Sequence, residues 1–135
     1  MSSRLPKFHL IHRAGQKADL TFSDNQPTVT ARQYVILVAL HGTKGLSQTD
    51  LTRLTGIDRS TLSSLVIRLQ QRGLLRRRRS SADARAYQIR LTEAGEAAVA
   101  ANRAAAQKAD ALLFSSLGGS ELTDFLAQLQ RILAV

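Results

Sequence analysis

Hydrophobic positions recur along this chain in two rhythms, one of three to four residues and one of two. Leu5, Phe8, Ile11, Ala14 and Ala18 keep the longer rhythm and predict an N-terminal helix over residues 5–20. Ser23 to Thr28 is rich in breakers and predicts a loop. Thr30 can cap a second helix that runs to about Leu40 and is ended by Gly42. Ser47 stands three residues before Asp50, a variant of the capping box, and opens a short helix with Leu51 and Leu54 inward. Gly56 breaks that helix and Asp58 caps the next. From Arg59 to Arg72, Leu62, Leu65, Val66 and Leu69 share one face, and Gly73 closes the helix. Two helices joined by a short glycine turn predict a helix-turn-helix.

Beyond Gly73 the rhythm shortens. Residues 74–79 and 87–91 read as strands, with Tyr87, Ile89 and Leu91 alternating against Gln88 and Arg90, and Ser80 to Ala86 joining them. A hairpin directly after a helix-turn-helix predicts a winged helix. Thr92 then caps a long helix reaching about residue 116, with ten alanines between residues 94 and 111. Gly118 and Gly119 stop it, and Ser120 caps a last helix with Leu122, Phe125, Leu126, Leu129, Ile132 and Leu133 in one apolar stripe. That stripe needs a partner, either the N-terminal helix of the same chain or the termini of a second chain. The expected fold class is mainly α with a small β-hairpin (α+β), in a single domain over residues 1–135. Residues 30–91 form its winged helix-turn-helix lobe, and residues 1–22 and 92–135 a helical lobe.

Composition adds exclusions. The 44% of hydrophobic residues suffices for a core, and cysteine is absent, which removes disulfides, thiolate catalysis, iron–sulfur clusters and thiol redox sensing. The longest apolar run, Tyr34 to Leu40, is far short of a membrane span, and no signal-peptide core follows Met1. A soluble, cytoplasmic protein is expected. The net charge of +9 is concentrated: between Arg53 and Arg90, ten arginines oppose only Asp58 and Asp83. That segment carries +8, and the other 97 residues carry +1. The guanidinium fork suits phosphate oxygens and guanine edges, so the segment points to nucleic acid.

An ordered set of motifs carries a family resemblance. Thr30-Ala-Arg-Gln33 leads into Val-Ile-Leu-Val-Ala-Leu40, and Leu51, Asp58-Arg-Ser-Thr-Leu62, Arg68-Leu-Gln-Gln-Arg-Gly73 and Leu91-Thr-Glu-Ala-Gly95 follow. Over residues 30–95 the chain resembles the MarR family of regulators. The resemblance implies a winged-helix homodimer, joined through its N- and C-terminal helices, that binds palindromic operators and is released by small anionic or phenolic ligands. The wing departs from the family pattern, with Asp83-Ala84-Arg85 where Asp-Arg-Arg is usual. The outer pair resembles the one in which Asp orients Arg for the minor groove. Arg85→Ala is expected to weaken operator binding by about 1–3 kcal/mol, read by titration at fixed salt.

On a helical wheel Ser60, Ser64, Ile67 and Arg68 oppose the apolar face, with Thr61 and Ser63 flanking them. Small polar residues suit entry into a major groove, Ile67 can pack on a thymine methyl, and Arg68 can take guanine or phosphate. The DNA-binding set is thus Arg59, Ser60, Thr61, Ser63, Ser64, Ile67, Arg68, Arg76, Arg78, Asp83 and Arg85. The Arg76–Arg79 run alternates across a strand, so no more than two of its residues adjoin the DNA backbone at once. The resemblance also implies an effector pocket between the first two helices and the long one. Phe8, His9, His12, Arg13 and Tyr34 are its candidate lining for an aromatic carboxylate. The other reading of those five is a surface or interface patch that takes no ligand. His9 and His12 supply two zinc ligands of four, so no metal site and no cofactor are expected. No catalytic motif appears, and an enzyme is not expected. A non-specific or architectural DNA-binding protein remains the alternative to a sequence-specific regulator.

Overall fold

A computed structural model of the chain describes residues 4–79 and 87–134. Its elements, in chain order, are α1 (Phe8–Ser23), α2 (Ala31–Leu40), α3 (Gln48–Thr55), α4 (Arg59–Gln71), β1 (Leu75–Arg79), β2 (Tyr87–Leu91), α5 (Glu93–Leu113) and α6 (Gly119–Leu133). The first helix is displaced toward the C-terminus relative to the spacing, because Pro6 and Lys7 precede its first turn and Asp24 closes it.

Caps mark the middle of the chain. Thr30 Oγ1 accepts from Gln33 N–H while Gln33 Oε1 accepts from Thr30 N–H, a full capping box. Ser47 Oγ accepts from Asp50 N–H at 3.0 Å, and Asp58 Oδ2 from Thr61 N–H at 3.1 Å. Each such cap contributes about 1 kcal/mol. Gly56 (φ +69) and Gly73 (φ +75) take left-handed backbone where α3 and α4 end, a conformation costly for any side chain with a Cβ.

The strands pair antiparallel, Leu75 opposite Leu91 and Arg77 opposite Ile89. Leu46 adds a third short strand segment, exchanging both backbone hydrogen bonds with Ile89 at 3.0 and 2.8 Å. It ties the wing to the loop before α3. The core lies between α2, α3, α4, the hairpin base and α5: Ile36, Leu37, Leu51, Leu62, Val66 and Leu69 are all 0% exposed. Thr92 joins the lobes, its Oγ1 donating to Gly73 O at 2.6 Å and accepting from Gly95 N–H at 3.0 Å.

Three expectations need correction. Leu54 is 65% exposed, because the side that α3 turns to the core is the one that buries Leu51. Gly118, not Ser120, is the N-cap of α6, its N–H donating to Glu121 Oε1 at 2.9 Å. The long helix ends at Leu113, several residues before the expected end. The α6 stripe is uncovered within one chain: no α6 residue is buried, and Ile132 and Leu133 are 64% and 74% exposed.

Candidate nucleic-acid interface

Burial of Leu62, Val66 and Leu69 fixes the rotation of α4 and thereby its outer face. Ser60, Ser64, Ile67 and Arg68 are exposed on that face, and Ile67 is 47% exposed, an unusual position for a large aliphatic side chain on a polar helix face. Thr61 and Ser63 are half-buried beside it. The Ser63 hydroxyl accepts from Gln48 Nε2 at 2.8 Å, so α3 holds it. The Ser60 hydroxyl turns back to Asp58 Oδ2 at 3.2 Å, reinforcing the cap.

The Asp58 carboxyl is held below its ordinary value of 3.8, chiefly by the Thr61 hydroxyl, then by the Thr61 backbone N–H and the Ser60 hydroxyl. A depressed folded-state value stabilises the fold above the ordinary carboxylate pKa, and the benefit is lost as pH falls through the lower folded value. Asp58→Asn, which keeps the cap without the charge, should therefore flatten the acid limb of a urea-midpoint profile taken from about pH 6 to about pH 2. An unchanged limb would remove Asp58 from the acid response.

The strand register sorts the arginine run. Leu75, Arg77 and Arg79 share a face with Leu91, Ile89 and Tyr87, while Arg76 and Arg78 share the other with Arg90 and Gln88. Ile89 is 2% exposed, so its face turns inward at the hairpin base. Farther out, Arg77 and Tyr87 open into a groove lined also by Ser47, Gln48, Thr49 and Arg59. The Arg79 guanidinium lies 5.6 Å from the Tyr87 ring centroid, in cation–π contact. Arg76 and Arg78 are exposed on the opposite side. Arg77, Gln48 and Thr49 were not singled out from sequence, since a run of four arginines has no hydrophobic phase. Asp83 and Arg85 lie outside the described residues.

A second concavity, about 390 Å³, lies between α1, α2 and α5. Its lining is largely apolar (Phe22, Tyr34, Val35, Ala109) and also includes Arg32, Asp19 and Asp110. Tyr34 is the one member of the expected effector group that it contains. Phe8, His9, His12 and Arg13 sit in the first turns of α1, before the stretch from Ala18 to Phe22 that reaches the cleft. There Phe8 and His12 pack edge to face at 5.7 Å. The five residues therefore do not converge in one chain, because α1 buries only its C-terminal Phe22.

Comparison with known proteins converges on one family. Residues 28–86 match the sequence profile of the MarR family. The transcriptional repressor NicR of Pseudomonas putida is 30% identical over 127 residues, 93% of this chain and 80% of that protein. Among solved structures, Bordetella bronchiseptica BpsR, whose DNA binding is regulated by 6-hydroxynicotinic acid, superposes with a TM-score of 0.92 at 28% identity. That match covers 100% of this chain and 98% of BpsR. Streptomyces coelicolor PcaV, solved with its natural ligand, gives 0.89 at 28% identity over 98% of this chain and 96% of that one. The caps, the buried α4 face and the hairpin that the motifs predicted are those of a winged helix, and the chain belongs to the MarR family of transcriptional regulators.

Proposed function

We propose that this protein is a cytoplasmic, homodimeric repressor that binds an inverted-repeat operator and is released by a small aromatic carboxylate. The observation that carries the reading is the juxtaposition of α4's short polar outer face with the arginine-lined groove of Arg59 and Arg77. Ser60, Ser64, Ile67 and Arg68 enter the major groove, Thr61 and Ser63 support them from the flank, and the wing carrying Asp83 and Arg85 reaches the adjacent minor groove. Dimerisation through α6 and the exposed half of α1 covers Leu10, Ile11, Ile132 and Leu133, each at least half exposed in one chain. Two recognition helices then lie roughly 34–36 Å apart, matching half-sites about 10 base pairs apart.

The effector reading rests on the α1–α2–α5 cleft, where Phe22 and Tyr34 offer rings (centroids 5.6 Å apart) and Arg32 a cation. BpsR, regulated by an aromatic acid, supports that chemistry. Fluorescence anisotropy on a duplex from the region upstream of this protein's own gene, against a random duplex at equal salt, tests the whole. A preference of at least about 10³ is expected, reversed by millimolar 6-hydroxynicotinic acid. Equal affinity for both duplexes would instead establish the non-specific, architectural reading.

A further inference from the structure

Asn102 sits mid-way along α5 among alanines and is 1% exposed, with every polar atom of its amide engaged. Its Oδ1 accepts from Thr28 N–H at 2.7 Å. Its Nδ2 donates to Thr28 Oγ1 at 2.9 Å and to the Ala98 carbonyl at 2.8 Å. Thr28 belongs to the loop between α1 and α2, and its remaining polar group, the carbonyl, accepts from Arg72 Nη2 at 2.8 Å. Arg72 is the C-cap of α4, and its Nη1 lies 3.4 Å from Gln33 Oε1, the oxygen that also caps Thr30. One threonine is thus bonded on one side to α5 and on the other to the end of the recognition helix.

We infer that Arg72, Thr28 and Asn102 form a relay that sets the orientation of α4 against α5 and makes it responsive to the cleft. The inference rests on the proposed reading of α4 as the recognition helix. Two of the cleft's three walls lie next to the relay: Ala31 and Arg32 follow Thr28 closely, and Ala106 lies one turn beyond Asn102. A ligand that spreads α2 from α5 pulls on Thr28, and Arg72 passes the displacement to the last turn of α4. A buried amide is suited to this because its bonds are directional, and each bond broken at Asn102 leaves one of its own amide atoms unpaired and out of water, while Thr28 and Arg72 are exposed. The three are positioning residues, acting on DNA binding through the angle of α4.

Amide hydrogen exchange on the free protein, without DNA or effector, tests the relay directly. Thr28→Val, Asn102→Ala and Arg72→Met should each accelerate exchange in the last turn of α4 by about 10-fold or more, leaving Leu51 in α3 at its wild-type rate. Wild-type exchange at the end of α4 in both Arg72→Met and Asn102→Ala overturns the relay. If Asn102→Ala loosens the whole chain, Arg72→Met decides, because it leaves Thr28 paired with Asn102 and removes the link from the Thr28 carbonyl to the end of α4. Anisotropy supplies the second readout. All three variants should lose about 10-fold in preference for the upstream duplex over a random one, with the salt slope unchanged. For Arg72→Met, a slope lower by about one unit would make Arg72 a phosphate contact and overturn its positioning role. A wild-type protein with no duplex preference overturns the proposed function instead, and the exchange data still judge the relay.

Discussion

Replacing Gly95 with alanine is expected to destabilise the fold by about 3 kcal/mol or more, the upper end of what over-packing costs. The effect opposes intrinsic propensity, since alanine in a helix is ordinarily better than glycine by about 0.5–1 kcal/mol. Sterics win at this position. A Cβ on Gly95 would stand 2.1 Å from the Leu74 carbonyl oxygen, with the Leu74 carbonyl carbon and Leu91 Cδ2 at 3.2 Å. The oxygen cannot swing aside cheaply, because it accepts from Thr92 N–H at 3.1 Å while Gly73 O is held by the Thr92 hydroxyl. Relief requires moving the first turn of α5 away from the hairpin base, which unpacks Leu75 and Ile89 from the core. The hairpin carries Arg76–Arg79, so operator affinity should fall with stability. Urea midpoints by circular dichroism, at one protein concentration because the stability of the proposed dimer depends on it, measure the effect. Gly119→Ala is the control: nothing lies within 4 Å of its Cβ, and it should hold or raise the midpoint. A Gly95→Ala midpoint equal to wild type would mean that α5 and the hairpin are not in contact as described.

Most of the winged helix was legible because its signals are local. Ser47, Asp58 and Thr92 each cap the helix that follows, as their spacing indicates. Leu62, Val66 and Leu69 are buried because a three-to-four-residue rhythm leaves a helix only one rotation that hides them all. What was not legible depends on partners distant in sequence. Leu54 has the right type and spacing to be inward but is 65% exposed. Leu46 gives no strand signal alone and becomes one only against Ile89. Tyr34 reaches the cleft and Arg13 does not, a difference set by where α1 crosses α2 and α5. Asn102 did leave a trace: it continues the stripe of Gly95, Ala98 and Val99, so a polar side chain there must find a buried partner.

The proposed DNA face yields the second large effect. Removing Arg59 and Arg77 together should weaken binding by about 3–6 kcal/mol, since each hydrogen bond to a charged group contributes about 1.5–3 when made. The loss should be uniform, the same on the upstream duplex as on a random one, because phosphates carry no sequence. It should also flatten the salt dependence: each neutralised phosphate contributes about 0.9 to the slope of log affinity against log salt, so the double variant should lose about 1.8. Arg68→Ala provides the contrast, lowering the preference between duplexes more than the slope, as expected of a side chain on the outer face of α4. Arg76→Ala with Arg78→Ala tests the other side of the hairpin. Those two project away from the groove, beside Arg90 and Gln88, and engage phosphate only if DNA wraps around the wing. Their joint effect on the slope should be smaller than that of Arg59 and Arg77. If the Arg76 and Arg78 pair instead carries the larger share, the duplex lies on the outer side of the hairpin, and the groove between α3, α4 and β1 is not where the backbone runs.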